Sequence, residues 1–127
     1  MKFEHFALNV PDARAISHWY VEHLGLHIVR SREDPPYTKF LADDTGRVIV
    51  ELYTNPAAEV PDYSSAHPLS FHIAFVADDP GATQHRLEKA GARFFAEDDL
   101  PDGSRLIMMR DPWGVPLQLC HRTKPLG

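Results

Sequence analysis

The strongest constraint on how this chain folds is a repetition at an interval of 67 residues. His5 and His72 differ by 67, and so do Glu51 and Gln118, so each histidine stands 46 residues before its polar partner. The intervals Asp44 to Glu51 and Asp111 to Gln118 are both 7, and Gly25 and Gly91, both placed to stop helices, differ by 66. A chain that repeats its turns and stops in this way builds one supersecondary unit twice.

The unit can be read from its first copy. Lys2–Val10 alternates Phe3, His5, Ala7 and Asn9 with Glu4, Phe6, Leu8 and Val10, the period of a strand. Asp12 is placed to cap a helix whose apolar stripe is Ile16, Trp19, Tyr20, His23 and Leu24, and Gly25 supplies the left-handed stop. Leu26–Ser31, Thr38–Ala42 and Arg47–Thr54 follow as strands, separated by Asp34-Pro35-Pro36 and by the turn Asp43-Asp44-Thr45-Gly46. The order is β-α-β-β-β.

Residues 56–68, with Pro56, Pro61 and Pro68, read as a linker. The order then recurs. Leu69–Val76 is a strand, Asp79-Pro80 a cap and first-turn proline, Gly81–Ala90 a helix, and Phe94–Glu97, Ser104–Met109 and Val115–His121 are strands. The expected organisation is one domain over 1–127: a module of about 1–55, the linker, a module of about 69–122, and a tail of 123–127.

Composition narrows the class. With 127 residues, 43% hydrophobic and 24% charged, the chain suits a globular fold with a real core. Thirteen Lys and Arg against 18 Asp and Glu give a net charge of −5, which argues against nucleic acid as a partner. No apolar run is long enough to span a membrane, and Met1–His5 has no signal-peptide core. Cys120 is the lone cysteine, so an intrachain disulfide and a cysteine-based zinc site are excluded and a reducing, cytoplasmic setting is expected.

Period-2 geometry puts His5, Ala7 and Asn9 on one side of the first strand, and Ser70, His72 and Ala74 on one side of the fifth. Bulky neighbours on the opposite sides suit packing under helices. If the two copies pair about a pseudo-twofold axis, His5, Glu51, His72 and Gln118 converge. Two imidazoles, a carboxylate and an amide oxygen make a shell for a borderline divalent cation: Zn, Ni, Co, Mn or Fe. Such a shell leaves positions open for a small-molecule substrate.

At these residues the chain resembles the vicinal oxygen chelate superfamily, in its glyoxalase I, bleomycin-resistance and dioxygenase group. The resemblance is carried by Phe3-x-His5-x-x-Leu8-x-Val10-x-Asp12, Trp19-Tyr20-x(3)-Leu24-Gly25, Val50-Glu51-Leu52-Tyr53, His72-Ile73-Ala74-Phe75, Leu87-x-x-Ala90-Gly91 and Asp111-Pro112-x-Gly114-x(3)-Gln118-Leu119. It implies an α+β fold of two βαβββ modules forming a cupped mixed sheet, a homodimer, and one metal ligand from each of the first, fourth, fifth and eighth strands.

By position the resemblance makes His5, Glu51, His72 and Gln118 the metal ligands and Asn9 and Asn55 substrate contacts. Asn9 stands where glyoxalases carry an arginine that binds glutathione, and Gln118 where they carry a glutamate. An amide binds metal but cannot abstract a proton, which leaves Glu51 as the catalytic base. The implied function is a lyase or isomerase acting on a substrate with adjacent oxygens through an enediolate-type intermediate. A ring-cleaving dioxygenase built on His5, His72 and Glu51, and a metal-free antibiotic-binding module, are the alternatives.

Overall fold

The computed structural model describes all residues, Met1–Gly127, as two compact units, Met1–Pro61 and Asp62–Gly127. The first unit runs β1 (Phe6–Asn9), α1 (Ala13–Leu24), β2 (His27–Ser31), β3 (Lys39–Ala42) and β4 (Val48–Tyr53). Its sheet has the order β1-β4-β3-β2, with β1 parallel to β4 and the other pairs antiparallel. The second runs β5 (Ile73–Val76), α2 (Pro80–Lys89), β6 (Arg93–Asp99), β7 (Arg105–Arg110) and β8 (Pro116–His121), after a 3-10 turn at Tyr63–Ser65. Its sheet order, β5-β8-β7-β6, copies the first.

The 67-residue offset survives in the ladder itself. Phe6 pairs with Val50 and Ile73 with Leu117; Ala7 pairs with Glu51 and Ala74 with Gln118. One equivalence differs from expectation. The side chain of Asp43, not Asp44, organises the first unit's turn, accepting from Thr45 N and Arg47 N as Asp111 accepts from Trp113 N and Val115 N. The turns are therefore offset by 68, and a bulge that leaves Ile49 without a ladder partner absorbs the extra residue before Val50.

Both helices start as their sequences dictate. Asp12 accepts from Ala15 N and Asp79 from Ala82 N, and Pro80 opens the second helix, where an N–H is not needed. Gly25 ends α1 at φ +70°, a conformation that costs other residues steric strain. The buried face of α1 (Ile16, Trp19, Tyr20) joins Leu41, Val50 and Leu52, and Leu87 of α2 joins Ile107, Met109, Leu117 and Leu119. Each helix thus covers one face of its own sheet.

The two strands that begin the modules are shorter than the alternation suggests. β1 starts at Phe6 rather than Lys2, and β5 at Ile73 rather than Leu69, because Pro68–Ser70 forms a turn closed by Ser70 N donating to His67 O. His5 and His72 consequently sit at the same place in the two copies, one residue before the edge strand.

Candidate metal centre

In the first unit, the sheet face away from α1 carries His5, Ala7 and Asn9 beside Glu51 and Tyr53, as the β1–β4 register requires. His5 Nε2 lies 2.9 Å from Glu51 Oε2, both side chains about three-quarters buried. Phe40, the ladder partner of Glu51, meets the His5 ring edge-on at 5.3 Å and limits its rotation. His5 Nδ1 lies 2.9 Å from Glu4 Oε1. A carboxylate can only accept, and the ring meets one on each side, so in a neutral ring one nitrogen donates while the other presents its lone pair to a carboxylate oxygen. Two electron-rich atoms 2.9 Å apart need a proton or a cation between them.

That spacing fits a metal. Two adjacent ligands of an octahedral ion, each about 2.1 Å from it, lie about 3.0 Å apart, a spacing that an ordinary N–H···O hydrogen bond also has. The donors are an imidazole and a carboxylate, the types that borderline divalent cations take.

In the second unit, His72 Nδ1 donates to the carbonyl of Pro68 at 2.9 Å. A carbonyl acceptor fixes the tautomer and leaves Nε2 with its lone pair, an arrangement also found behind metal-bound histidines. The sequence carries no direct signal of this bond, since it depends on how the Pro68–Ser70 turn folds. Gln118 lies on the same sheet face as Ala74, and its Oε1 accepts from Cys120 Sγ at 3.3 Å. Burial pushes the Cys120 thiol up, which keeps it protonated and able to donate.

The structure thus brings His5 and Glu51 into contact and gives His72 and Gln118 equivalent stations in the second copy. In each unit, no three His, Cys, Asp or Glu side chains gather to hold an ion.

Asn9 and Asn55 occupy a different kind of place. Asn9 Nδ2 donates to the carbonyls of Asn55 and Ala58, each at 3.0 Å, and its Oδ1 accepts from Asn55 N at 2.8 Å. Asn55 Oδ1 accepts from Ala57 N. Both amides hold the loop after β4.

A cleft that the sequence analysis did not anticipate lies on the second unit's open sheet face beside Gln118, with a volume of about 160 Å³. Its walls come from the His67–Leu69 turn and from β6 and β7.

Comparison with known proteins identifies the family and the fold. Residues 2–119 match the model of the Glyoxalase/Bleomycin resistance protein/Dioxygenase superfamily. A lactoylglutathione lyase of Salmonella typhimurium is 28% identical over 126 residues, covering 94% of this chain and 91% of its own. Among solved structures, a glyoxalase-related enzyme from Fulvimarina pelagi superposes with a TM-score of 0.72 at 17% identity, covering 100% of this chain and 93% of its own. A glyoxylase/bleomycin resistance protein/dioxygenase domain from Frankia sp. EAN1pec gives 0.69 at 23%, covering 98% and 95%. At those identities the two structures speak for the fold, and the α+β plan of paired βαβββ modules is theirs as well. With a family model matching nearly the whole length and a repeated module bearing a histidine at the head of each edge strand, this chain belongs to the Glyoxalase/Bleomycin resistance protein/Dioxygenase superfamily.

Proposed function

We propose that the chain is a metal-dependent lyase or isomerase of glyoxalase type, acting on a small substrate with two adjacent oxygens. The observation that carries this reading is the apposition of His5 Nε2 and Glu51 Oε2 at 2.9 Å, with the opposite ring nitrogen already engaged. The lactoylglutathione lyase relative supports it. His5, Glu51, His72 and Gln118 would hold the ion, within one chain or across a dimer. When bound, a divalent cation supplies the Lewis acidity that polarises the substrate oxygens.

The chain's own groups do the proton work. Glu51 is the only carboxylate in the set, so it takes the proton from the carbon beside the carbonyl and returns it to the neighbouring carbon. Gln118 contributes an amide oxygen and no base. Asn9 serves the site by holding the 55–59 loop, and Asn55 by shaping its first turn. The same reading takes the protein as a cytoplasmic homodimer that binds a small molecule and neither nucleic acid nor membrane. No helix is long and apolar enough to cross a membrane.

The test is Glu51→Gln, which keeps an oxygen ligand and removes the base. In protein loaded in turn with Ni, Co, Zn, Mn and Fe(II), turnover of a methylglyoxal–thiol adduct is expected to fall by about 10²–10⁴ while metal content is retained. Undiminished turnover overturns the role of Glu51. Oxygen uptake with catechol by the iron-loaded protein would move the chemistry to ring cleavage.

A further inference from the structure

From the cleft beside Gln118 we infer that the substrate carries a single ring or a similarly sized apolar group, neutral or cationic and not anionic. The inference rests on the proposed metal site, because Gln118 is shared: a molecule held there would project its remainder into the cleft.

Three features carry it. The walls are apolar, formed by Phe95, Ala96, Leu106 and Met108, and a volume of about 160 Å³ suits one ring. A dry cavity of about 150 Å³ is enough to take benzene. The only charged side chain in the lining is the carboxylate of Asp98, and no Lys or Arg lines the cleft. Strand alternation separates Asp98 from its neighbours: Glu97 and Asp99 face the other way and share Arg105, at 2.6 and 3.8 Å. Arg110 passes 5.5 Å from the Phe95 ring centre, but its guanidinium donates to the carbonyls of Tyr63, Ala66 and Gly114. An anionic group would therefore meet Asp98 with no cationic side chain in the lining to pair with, whereas an amine would pair with Asp98.

The cleft is also built in advance. Arg110 ties down the segment that enters the His67–Leu69 turn, His67 Nδ1 accepts from Leu69 N, and the His67 ring meets Phe95 edge-on at 5.4 Å. A wall fixed in this way loses little freedom when a ligand arrives.

The experiment uses the full chain, methyl-labelled at Met and Ala, stripped with chelator and given no metal. Benzylamine, benzyl alcohol and phenylacetate are titrated while the Met108 and Ala96 methyl resonances are followed. The amine and the alcohol are expected to move both methyls, with phenylacetate at least about tenfold weaker. Asp98→Asn should lower amine affinity about three- to fivefold, toward that of the alcohol, as fits an exposed ion pair. Ala96→Phe, which fills the cleft, should abolish the shifts with the thermal transition retained, and Ala96→Val should weaken them by degrees if the larger residue unfolds the protein. Phenylacetate binding as well as benzylamine, unmoved methyls, or shifts that persist in both Ala96 variants would overturn the inference. With no metal present, its failure is separate from failure of the metal site.

Discussion

Replacing Asn9 with alanine removes a clamp whose value can be worked from its bonds. Its amide makes two part-buried bonds with the backbone of Asn55, at 2.8 and 3.0 Å, and an exposed one with Ala58 O at 3.0 Å. A part-buried bond of this kind is worth about 1 kcal/mol net and the exposed one about half that. The sum is about 2.5 kcal/mol, or a fall of about 10 °C in the melting temperature of a chain this size. Asn9→Asp should be worse at neutral pH. It keeps the acceptor for Asn55 N but sets a carboxylate against two carbonyl oxygens. Urea denaturation followed by far-UV circular dichroism, with the m-value checked for constancy, measures both. A loss below about 0.5 kcal/mol for Asn9→Ala, or an aspartate variant as stable as the parent, would refute the reasoning and return Asn9 to a direct role with substrate.

Two further perturbations probe the frame around the site. Gly114 has φ +92°, and a Cβ there would collide with Ser64 Oγ and stand 2.9 Å from Ser64 N. Gly114→Ala should cost about 3 kcal/mol or more, and adding Ser64→Gly should recover only part, since the backbone nitrogen remains; a neutral Gly114→Ala in a melting experiment would contradict this packing. Asp43 is held below the usual carboxylate range first by the Thr45 hydroxyl, and Asp102 first by the Ser104 backbone N–H. A lowered folded-state pKa adds stability that is present above the ordinary value, about 4, and is lost as pH falls through the lowered one. Asp43→Asn with Asp102→Asn should therefore flatten the acid side of the stability–pH curve, and an unchanged slope would refute the assignment.

What the sequence disclosed was what local chemistry decides. Asp12, Gly25 and the Asp79-Pro80 pair mark the helices because caps and stops act within one turn of chain. The 67-residue offset foretold the strand register, since β1–β4 and β5–β8 pair at equivalent residues. Features that depend on three-dimensional closure stayed hidden. The extra residue at Ile49 shifts a turn by one position without disturbing the alternation, so Asp44 looked equivalent to Asp111 where Asp43 is. Leu69–Val76 alternates like one strand, yet Pro68–Ser70 closes a turn and starts β5 late. The same turn supplies the Pro68 carbonyl to His72 and a wall of the cleft, so both features were invisible for one reason. Buried Lys39 is a further case: its ammonium reaches Ser31 Oγ, Arg32 O and Glu33 Oε1, partners set by how the intervening loop folds back.

Calorimetric titration of the untagged, chelator-stripped protein with Ni or Zn addresses the metal centre most directly. One ion per chain is expected, with affinity falling by about a hundredfold in Glu51→Ala and in His72→Ala, one variant from each copy of the module; loss of even a supporting group behind a metal ligand commonly costs 10–100-fold. Full affinity in both variants, or no binding by the parent chain, would contradict a shared cation and leave His5 and Glu51 as an ion pair.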